Sequence, residues 1–229
     1  MFLPVTDHNP LRVIRFQYVT GTLIALNAAL FVATGAIMVP GAFQAVTLSY
    51  GAVPAVVAGR AALDPSLAVL PDGASLLTYM FLHGGWLHLL TNMAFLWVFG
   101  DNVEDRLGHV RFLAFYLACG VAAAIAQVAM TPDSTAPLIG ASGAVSGVMA
   151  AYLLYYPGAR VWVLVFMRLP LRVPASWALG GWIVFQFASV LLAPGDETVG
   201  VAWWAHIGGF FVGLALAFVF APRTPPAAQ

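Results

Sequence analysis

Two serines and one histidine in this chain could carry out nucleophilic chemistry. The segment PLIGASGAVSGVMAAYLLYYP, residues 137–157, contains Ser142 and Ser146 one helical turn apart, with glycines around them. A serine hydroxyl is a weak nucleophile until a base removes its proton, and histidine can be that base near neutral pH. His206 is the candidate base. Because no Asp or Glu is expected at its depth, the sequence predicts a Ser–His dyad rather than a triad.

Two further polar residues could stabilise the oxyanion that such an attack creates. His88 and Asn92 are four residues apart, so on a helix they share one face. Both side chains can donate a hydrogen bond. Ser142 is expected to begin a helix, where free backbone N–H groups favour negative charge. We therefore predict an oxyanion hole formed by His88, Asn92 and this helix N-terminus.

Each of these residues also has a purely structural interpretation. A serine in an apolar helix usually bonds to its own backbone, and Ser146 is interpreted in this way. Asn92 could join two helices by a hydrogen bond. His83 lies off the face of His88, and we expect it to anchor a loop. A catalytic role is favoured over the structural one because polar groups on three spans fall at similar estimated depths, ~14–25 Å above the cytoplasmic ends. Burying polar groups at that depth is costly.

The composition indicates a membrane protein. Of the 229 residues, 62% are hydrophobic and 8% are charged, whereas soluble domains carry about 25% charged residues. The chain is therefore expected to be one integral membrane domain. Its formal net charge is zero, which gives no indication of a nucleic-acid partner. No H-E-x-x-H motif of a metalloprotease is present, and we expect neither a cofactor nor a metal.

Six apolar segments are candidates for membrane helices, which need roughly 20 residues each. They cover approximately residues 18–39, 78–99, 110–129, 142–157, 176–193 and 203–221. The apolar stretch 42–59 is interrupted by glycine and proline, so we expect it to belong to a long surface loop, 40–77. The expected organisation is a short cytoplasmic tail at 1–17 without a signal peptide, a six-span domain at 18–221, and a short cytoplasmic tail at 222–229.

The arginines indicate the orientation of these spans. With six spans, Arg60 falls on one side of the membrane and the other arginines on the opposite side. The positive-inside rule then places both termini in the cytoplasm. The arginines opposite Arg60 are Arg12, Arg15, Arg106, Arg111, Arg160, Arg168, Arg172 and Arg223.

The fourth span is too short to cross the membrane. From Ser142 to Pro157 a helix rises only ~22 Å, against a hydrocarbon core of ~30 Å. Ser142 is therefore expected in a depression that the loop 130–141 enters, and irregular backbone at that depth must line protein or a water-filled cavity. A cavity would supply the water that hydrolysis needs.

Small residues predict that the fourth and sixth spans approach each other closely. Gly143 and Gly147 are four residues apart on the fourth span, and Gly209 and Gly213 are four apart on the sixth. Stripes of this kind let helix backbones come into contact. His206 shares the face of the sixth-span glycines, so the contact should bring it beside the start of the fourth span.

Three motifs resemble those of the rhomboid family of intramembrane serine proteases. They are GASG at 140–143, HGGWLHLLTNM at 83–93 and AHIGGFFVG at 205–213. They lie on the second, fourth and sixth spans, and the turn GDNVEDRLG at 100–108 adds to the likeness. The resemblance implies an all-α polytopic fold, a six-helix rhomboid-like bundle with a short, recessed fourth helix.

The resemblance also implies roles for the candidate residues. Ser142 would be the nucleophile, in preference to Ser146, and His206 would be the general base and acid. His88 and Asn92 would stabilise the oxyanion. The partners would be the lipid bilayer and transmembrane protein substrates, cleaved near the outer ends of their spans, with the fifth span and an outer loop controlling entry. The expected location is a bacterial inner membrane.

On the fifth span, the resemblance makes three side chains candidates for gating or packing. These residues are Trp182, Phe185 and Gln186.

The chain departs from some members of that family. Some carry an aromatic residue one turn after the serine, which stacks on the histidine; here that position is Ser146, so His206 must be positioned otherwise. Some carry a Trp-Arg pair in the first outer loop, and none is found in 40–77.

Two other classes of protein are alternatives to a protease. The first is a catalytically inactive rhomboid-like protein that binds transmembrane segments. The second is a small transporter or channel, which is disfavoured because the cytoplasmic halves of the spans are nearly all apolar.

Overall fold

A computed structural model describes residues 2–35, 41–71, 73–192 and 201–220. This part of the chain is mostly helical, but it carries one small sheet, so the expectation of an all-α fold was not fully met. The helices are α1 (Tyr18–Gly35), α2 (Ala42–Tyr50), α3 (Pro54–Val57), α4 (Ser75–Thr78), α5 (Trp86–Leu107), α6 (His109–Met130), α7 (Ser142–Tyr155), α8 (Ala175–Leu192) and α9 (Trp203–Phe220). The strands are β1 (Phe2–Thr6), β2 (Arg160–Val165) and β3 (Leu169–Pro174), and a 3₁₀ turn lies at Tyr79–Phe81.

Three of the described helices, α6, α8 and α9, are long and apolar enough to cross a membrane. The apolar segments Tyr18–Thr34 and Ser142–Tyr155 are shorter. The protein is therefore a mostly helical membrane protein. The count of six spans stays a prediction.

Helix α7 lies at the centre of the bundle. It packs against α5, α6 and α9, and every residue from Gly143 to Tyr152 is buried. A helix that is apolar all round its axis is expected in such a position. Small side chains on α7 then decide how closely its neighbours approach.

The contact between α7 and α9 is made by backbone atoms. A Cβ atom at Gly209 would lie 2.0 Å from the carbonyl oxygen of Gly143, and one at Gly213 would lie 2.3 Å from the Cα of Gly147. Gly147 itself faces the Sγ of Cys119 on α6, which a Cβ would approach to 2.5 Å. The predicted glycine contact between these helices is confirmed.

The second predicted span was wrong at both ends. It was placed at 78–99, whereas α5 covers Trp86–Leu107 and is preceded by the separate helix α4 and the 3₁₀ turn. Gly84 and Gly85 separate the turn from α5, which is consistent with the weak helix propensity of glycine. Because the depths of His88 and Asn92 had been measured from a helix end near Asp101, those estimates used the wrong end point.

The C-terminal end of α5 remains helical because its carboxylates have distant partners. Glu104 accepts hydrogen bonds from the backbone N–H groups of Val19 and Thr20, at 3.0 and 2.8 Å, and so caps the first turn of α1. Asp105 accepts three more from the backbone N–H groups of residues 12–14, at 2.7–3.0 Å. Glu104 and Asp105 thus fasten the start of α1 and the segment before it to α5.

The stretch 42–59 was expected to belong to a long surface loop, but much of it is helical. Helices α2 and α3 are separated at Gly51, where a Cβ would lie 2.3 Å from the carbonyl oxygen of Thr47. Next to this break, Ala52 exchanges backbone hydrogen bonds with Leu138 at 3.0 and 2.9 Å. The long loop is thereby tied to the segment that precedes α7.

A three-stranded antiparallel sheet covers one end of the bundle. Its order is β1-β2-β3, with Phe2 opposite Val165 and Arg160 opposite Pro174. Residues 1–17 were expected to form only a tail, yet residues 2–6 are a strand of this sheet. The hydroxyl of Tyr152 on α7 donates to Oδ2 of Asp7 at 2.5 Å, which ties this segment to the central helix.

We predict that Gly209→Ala destabilises the protein although alanine is the better helix former. The new methyl group must push α9 from α7, and overpacking of this kind costs about 1–3 kcal/mol. The measurement is thermal unfolding in detergent. The matched control is Gly180→Ala on α8, where a Cβ would meet nothing within 4 Å. Equal melting temperatures for the two variants would contradict the prediction.

Candidate active site

Ser142 is the first residue of α7, and a tight turn leads into it. Gly140 has a φ of 114°, in the region that glycine adopts readily. Its N–H donates to the carbonyl of Tyr79 at 2.9 Å, and a Cβ there would lie 2.6 Å from Nε2 of His88. The glycine thus lets the chain pass against an imidazole immediately before Ser142.

In the part of the chain that the structure describes, the N-terminus of α7 has no side-chain cap. The residue at the cap position is Ala141, which makes no side-chain hydrogen bond to the first turn. The first N–H groups of a helix have no partner within the helix, and they form a site for negative charge. Ser142 therefore begins a helix end that could bind an oxyanion.

Ser142 and His206 are brought together. Nε2 of His206, in the first turn of α9, lies 2.8 Å from Oγ of Ser142, which is a hydrogen-bond distance. The glycine contact lies three residues further along α9, where Gly209 packs on the carbonyl of Gly143. The residues that hold the two helices together thus adjoin the residues that could react.

A third side chain completes the surroundings of His206. Oε1 of Gln186, on α8, lies 2.8 Å from Nδ1 of the imidazole, and Gln186 is only 3% exposed. An amide oxygen can only accept a hydrogen bond, so this contact suits an imidazole that is protonated at Nδ1. In that tautomer Nε2 could accept the hydroxyl proton of Ser142. The predicted pair is extended to Ser142–His206–Gln186.

His88 and Asn92 lie at the start of α5, close to the turn before Ser142. Nδ1 of His88 accepts from the N–H of Gly84 at 3.3 Å, and its ring lies against Gly140. The side-chain nitrogen of Asn92 donates to the carbonyl of His88 at 2.8 Å, and Asn92 is 4% exposed. Within the described residues, neither side chain bonds to Ser142. Their proposed donation to an oxyanion is therefore untested.

The comparison with known families settles what kind of chain this is. A sequence model of the Rhomboid domain matches residues 72–223. The chain belongs to the rhomboid family. The matched range contains all three motifs noted in the sequence, and the resemblance drawn from them is confirmed.

Curated relatives of this rhomboid come from plants, yeast and fish. It is 27% identical to RHOMBOID-like protein 6, mitochondrial, of Arabidopsis thaliana, over 63% of this chain and 42% of that protein. It is 31% identical to RHOMBOID-like protein 2 of the same plant, over 66% and 44%. With Rhomboid protein 1, mitochondrial, of Saccharomyces cerevisiae it shares 28% identity, over 61% and 40%.

The chain spans less than half the length of these relatives. Two of the three are named as mitochondrial, so the relatives give no support to the expectation of a bacterial inner membrane.

Ser146, which replaces the aromatic residue of some other rhomboids, has a structural contact. Its hydroxyl donates to the carbonyl of Ser142 at 2.6 Å, and the side chain is fully buried. The interpretation of Ser146 as a packing residue bonded to its own helix is confirmed.

In this rhomboid the aromatic contacts to His206 come from α8 and from the start of α9 itself. The ring of Trp182 on α8 lies 5.7 Å from the imidazole at 39°. Trp203 lies 6.4 Å away at 89°. His206 is therefore positioned by two tryptophans and Gln186, rather than by the residue one turn after the serine.

The family resemblance made Gln186 a candidate for gating or packing, and its contact with His206 was not predicted. A signal was present, because Gln186 is a lone amide in the apolar run WALGGWIVFQFASVLL, and buried polar groups in membrane helices need partners. The partner could not be named, because 20 residues separate Gln186 from His206.

His83 was expected to anchor a loop. It is 1% exposed, and its ring packs edge-on against that of His88, with the ring centroids 5.1 Å apart.

Proposed function

We propose that this rhomboid is an intramembrane serine endopeptidase. It hydrolyses peptide bonds in or near transmembrane segments of membrane-protein substrates. The observation that carries the proposal is the 2.8 Å contact between Ser142 Oγ and His206 Nε2 at the uncapped start of α7. Family membership adds the reaction class.

The proposed reaction has two steps. Oγ of Ser142 attacks the scissile carbonyl carbon while its proton passes to Nε2 of His206. The C–N bond then breaks, and Nε2 gives this proton to the leaving amine, which leaves an acyl-serine ester. In the second step Nε2 takes a proton from water, the resulting hydroxide attacks the ester, and the serine regains its proton.

The oxyanion formed in each step needs donors. The proposed donors are the first backbone N–H groups of α7 and the side chains of His88 and Asn92. Groups placed where charge develops, in a site that excludes bulk water, stabilise the transition state by ~3–4 kcal/mol per donor. Two observations support this assignment: Ala141 leaves the helix end without a side-chain cap, and His88 lies against Gly140.

The same proposal includes the membrane arrangement. Six spans place α1 and α5–α9 across the bilayer, with both termini on the arginine-rich side. Helix α7 has 14 residues and rises ~21 Å, so it starts below the outer surface of a ~30 Å core. The partners are the lipid bilayer and transmembrane substrates, with no nucleic acid, cofactor or metal.

The nucleophile is tested by alanine substitutions at two serines that lie one helical turn apart. Ser142→Ala should abolish both cleavage of a transmembrane substrate in liposomes and labelling by a fluorophosphonate probe. Ser146→Ala should keep most of the cleavage and most of the labelling, because within the described residues its hydroxyl bonds only to the backbone of its own helix. The reverse ranking would overturn the assignment. A wild-type protein that binds the substrate segment without labelling or cutting would instead be an inactive rhomboid-like protein.

The oxyanion role of Asn92 is tested by kinetics. Asn92→Ala should lower kcat by about 10²-fold and leave KM nearly unchanged, because the lost interaction forms only in the transition state. The measurement is steady-state cleavage at several substrate concentrations. Should KM rise while kcat stays constant, Asn92 would be a docking or packing residue.

The orientation is tested by labelling single cysteines. Leu169→Cys at the start of β3 should react with an impermeant maleimide only from the cytoplasmic side, and Ala61→Cys in the loop 40–77 only from the opposite side. Both native residues are exposed, and the native Cys119 is fully buried and should stay silent. Labelling of both positions from one side would exclude the proposed orientation.

A further inference from the structure

We propose that Gln186 is a positioning residue, which holds His206 in the tautomer that can accept the proton of Ser142. This inference rests on the proposed protease function for its kinetic consequences. The tautomer itself is a property of the resting protein and can be measured separately.

The first observation is the chain of hydrogen bonds. Gln186 Oε1, His206 Nδ1, His206 Nε2 and Ser142 Oγ follow one another with two contacts of 2.8 Å. In a neutral imidazole one nitrogen donates and the other accepts. With an acceptor at Nδ1, the proton belongs on Nδ1 and Nε2 is basic. With no acceptor there, the proton could occupy Nε2, and the ring could not accept from the serine.

The second observation is the burial of α8. The buried residues of α8 are Ala175, Ala178, Leu179 and Gln186. Between Leu179 and the end of the helix, Gln186 is therefore the one buried side chain. Neighbours on either side face outward, with Phe185 58% and Phe187 38% exposed. A buried amide is costly unless it is hydrogen-bonded. The contact with His206 therefore satisfies Gln186 and orients the imidazole at the same time.

The third observation is that α8 supplies a second contact on the same face. Trp182 is four residues before Gln186, so both project toward α9. Its ring lies 5.7 Å from His206 and 6.5 Å from Phe210. Trp182 limits where the ring can lie, and Gln186 selects which nitrogen is protonated. Within the described residues no carboxylate contacts the Ser142–His206 pair, and a neutral amide orients the imidazole.

The test compares two substitutions of similar size. Gln186→Met keeps the length of the side chain but removes the acceptor, whereas Gln186→Glu keeps an acceptor oxygen. The methionine variant should lower kcat by about tenfold, the effect of one neutral hydrogen bond, with little change in KM. The glutamate variant should recover most of the activity. Ser189→Ala on the same helix is the control, because among the described residues its hydroxyl bonds only to the carbonyl of Phe185.

The second readout does not depend on activity. ¹⁵N NMR of histidine-labelled protein in detergent reports which imidazole nitrogen carries the proton, and His206→Ala identifies the signal. The wild type should show Nδ1–H, and Gln186→Met should show a mixture of both tautomers. A wild-type protein without cleavage or labelling would refute the protease function, while this spectrum would still decide the role of Gln186.

Two results would overturn the inference. One is a methionine variant with wild-type kcat and an unchanged Nδ1–H signal. The other is an equal loss of activity in the methionine and glutamate variants, accompanied by equal falls in melting temperature and an unchanged tautomer. In that case Gln186 would only contribute packing between α8 and α9.

Discussion

The structure depends on the backbone contact between α7 and α9. Lipid tails are as apolar as the helices, so no hydrophobic force pushes membrane helices together, and close packing must do so. Gly209 lies on the carbonyl of Gly143, and Gly213 lies on Gly147. Ser142 directly precedes the first of these contacts on α7, and His206 is three residues before it on α9. The packing that assembles the bundle therefore also sets the distance between serine and histidine.

The other end of the bundle is held by charge-assisted hydrogen bonds rather than by glycines. Glu104 binds the first turn of α1, and Asp105 binds the backbone N–H groups just before that helix. Asp7 meets the hydroxyl of Tyr152 near the end of α7. Bonds to ionised acceptors are stronger than neutral ones, so a few carboxylates fasten the N-terminal segment under the central helix.

Much of the site could be predicted from the sequence because its determinants are local. Glycine spacing predicted the helix contact, and the position of His206 relative to Gly209 predicted which face it shares. The predictions that failed concern segments whose structure is set by residues far away in the sequence. The end of α5 was misplaced because residues such as Glu104 were interpreted as leaving the helix, whereas their partners lie 84–93 residues away. The strand Phe2–Thr6 was missed because only its pairing with Arg160–Val165 makes it a strand.

The resting arrangement of Asn92 is compatible with its proposed part in catalysis. An amide nitrogen carries two protons, and the bond to the carbonyl of His88 uses one of them. That bond fixes the plane of the amide, so the direction of the second proton is fixed as well. A donor that is oriented before charge develops needs no reorganisation when the charge appears. The contact within α5 therefore does not compete with an oxyanion for Asn92; it is the contact that would keep the remaining proton in place.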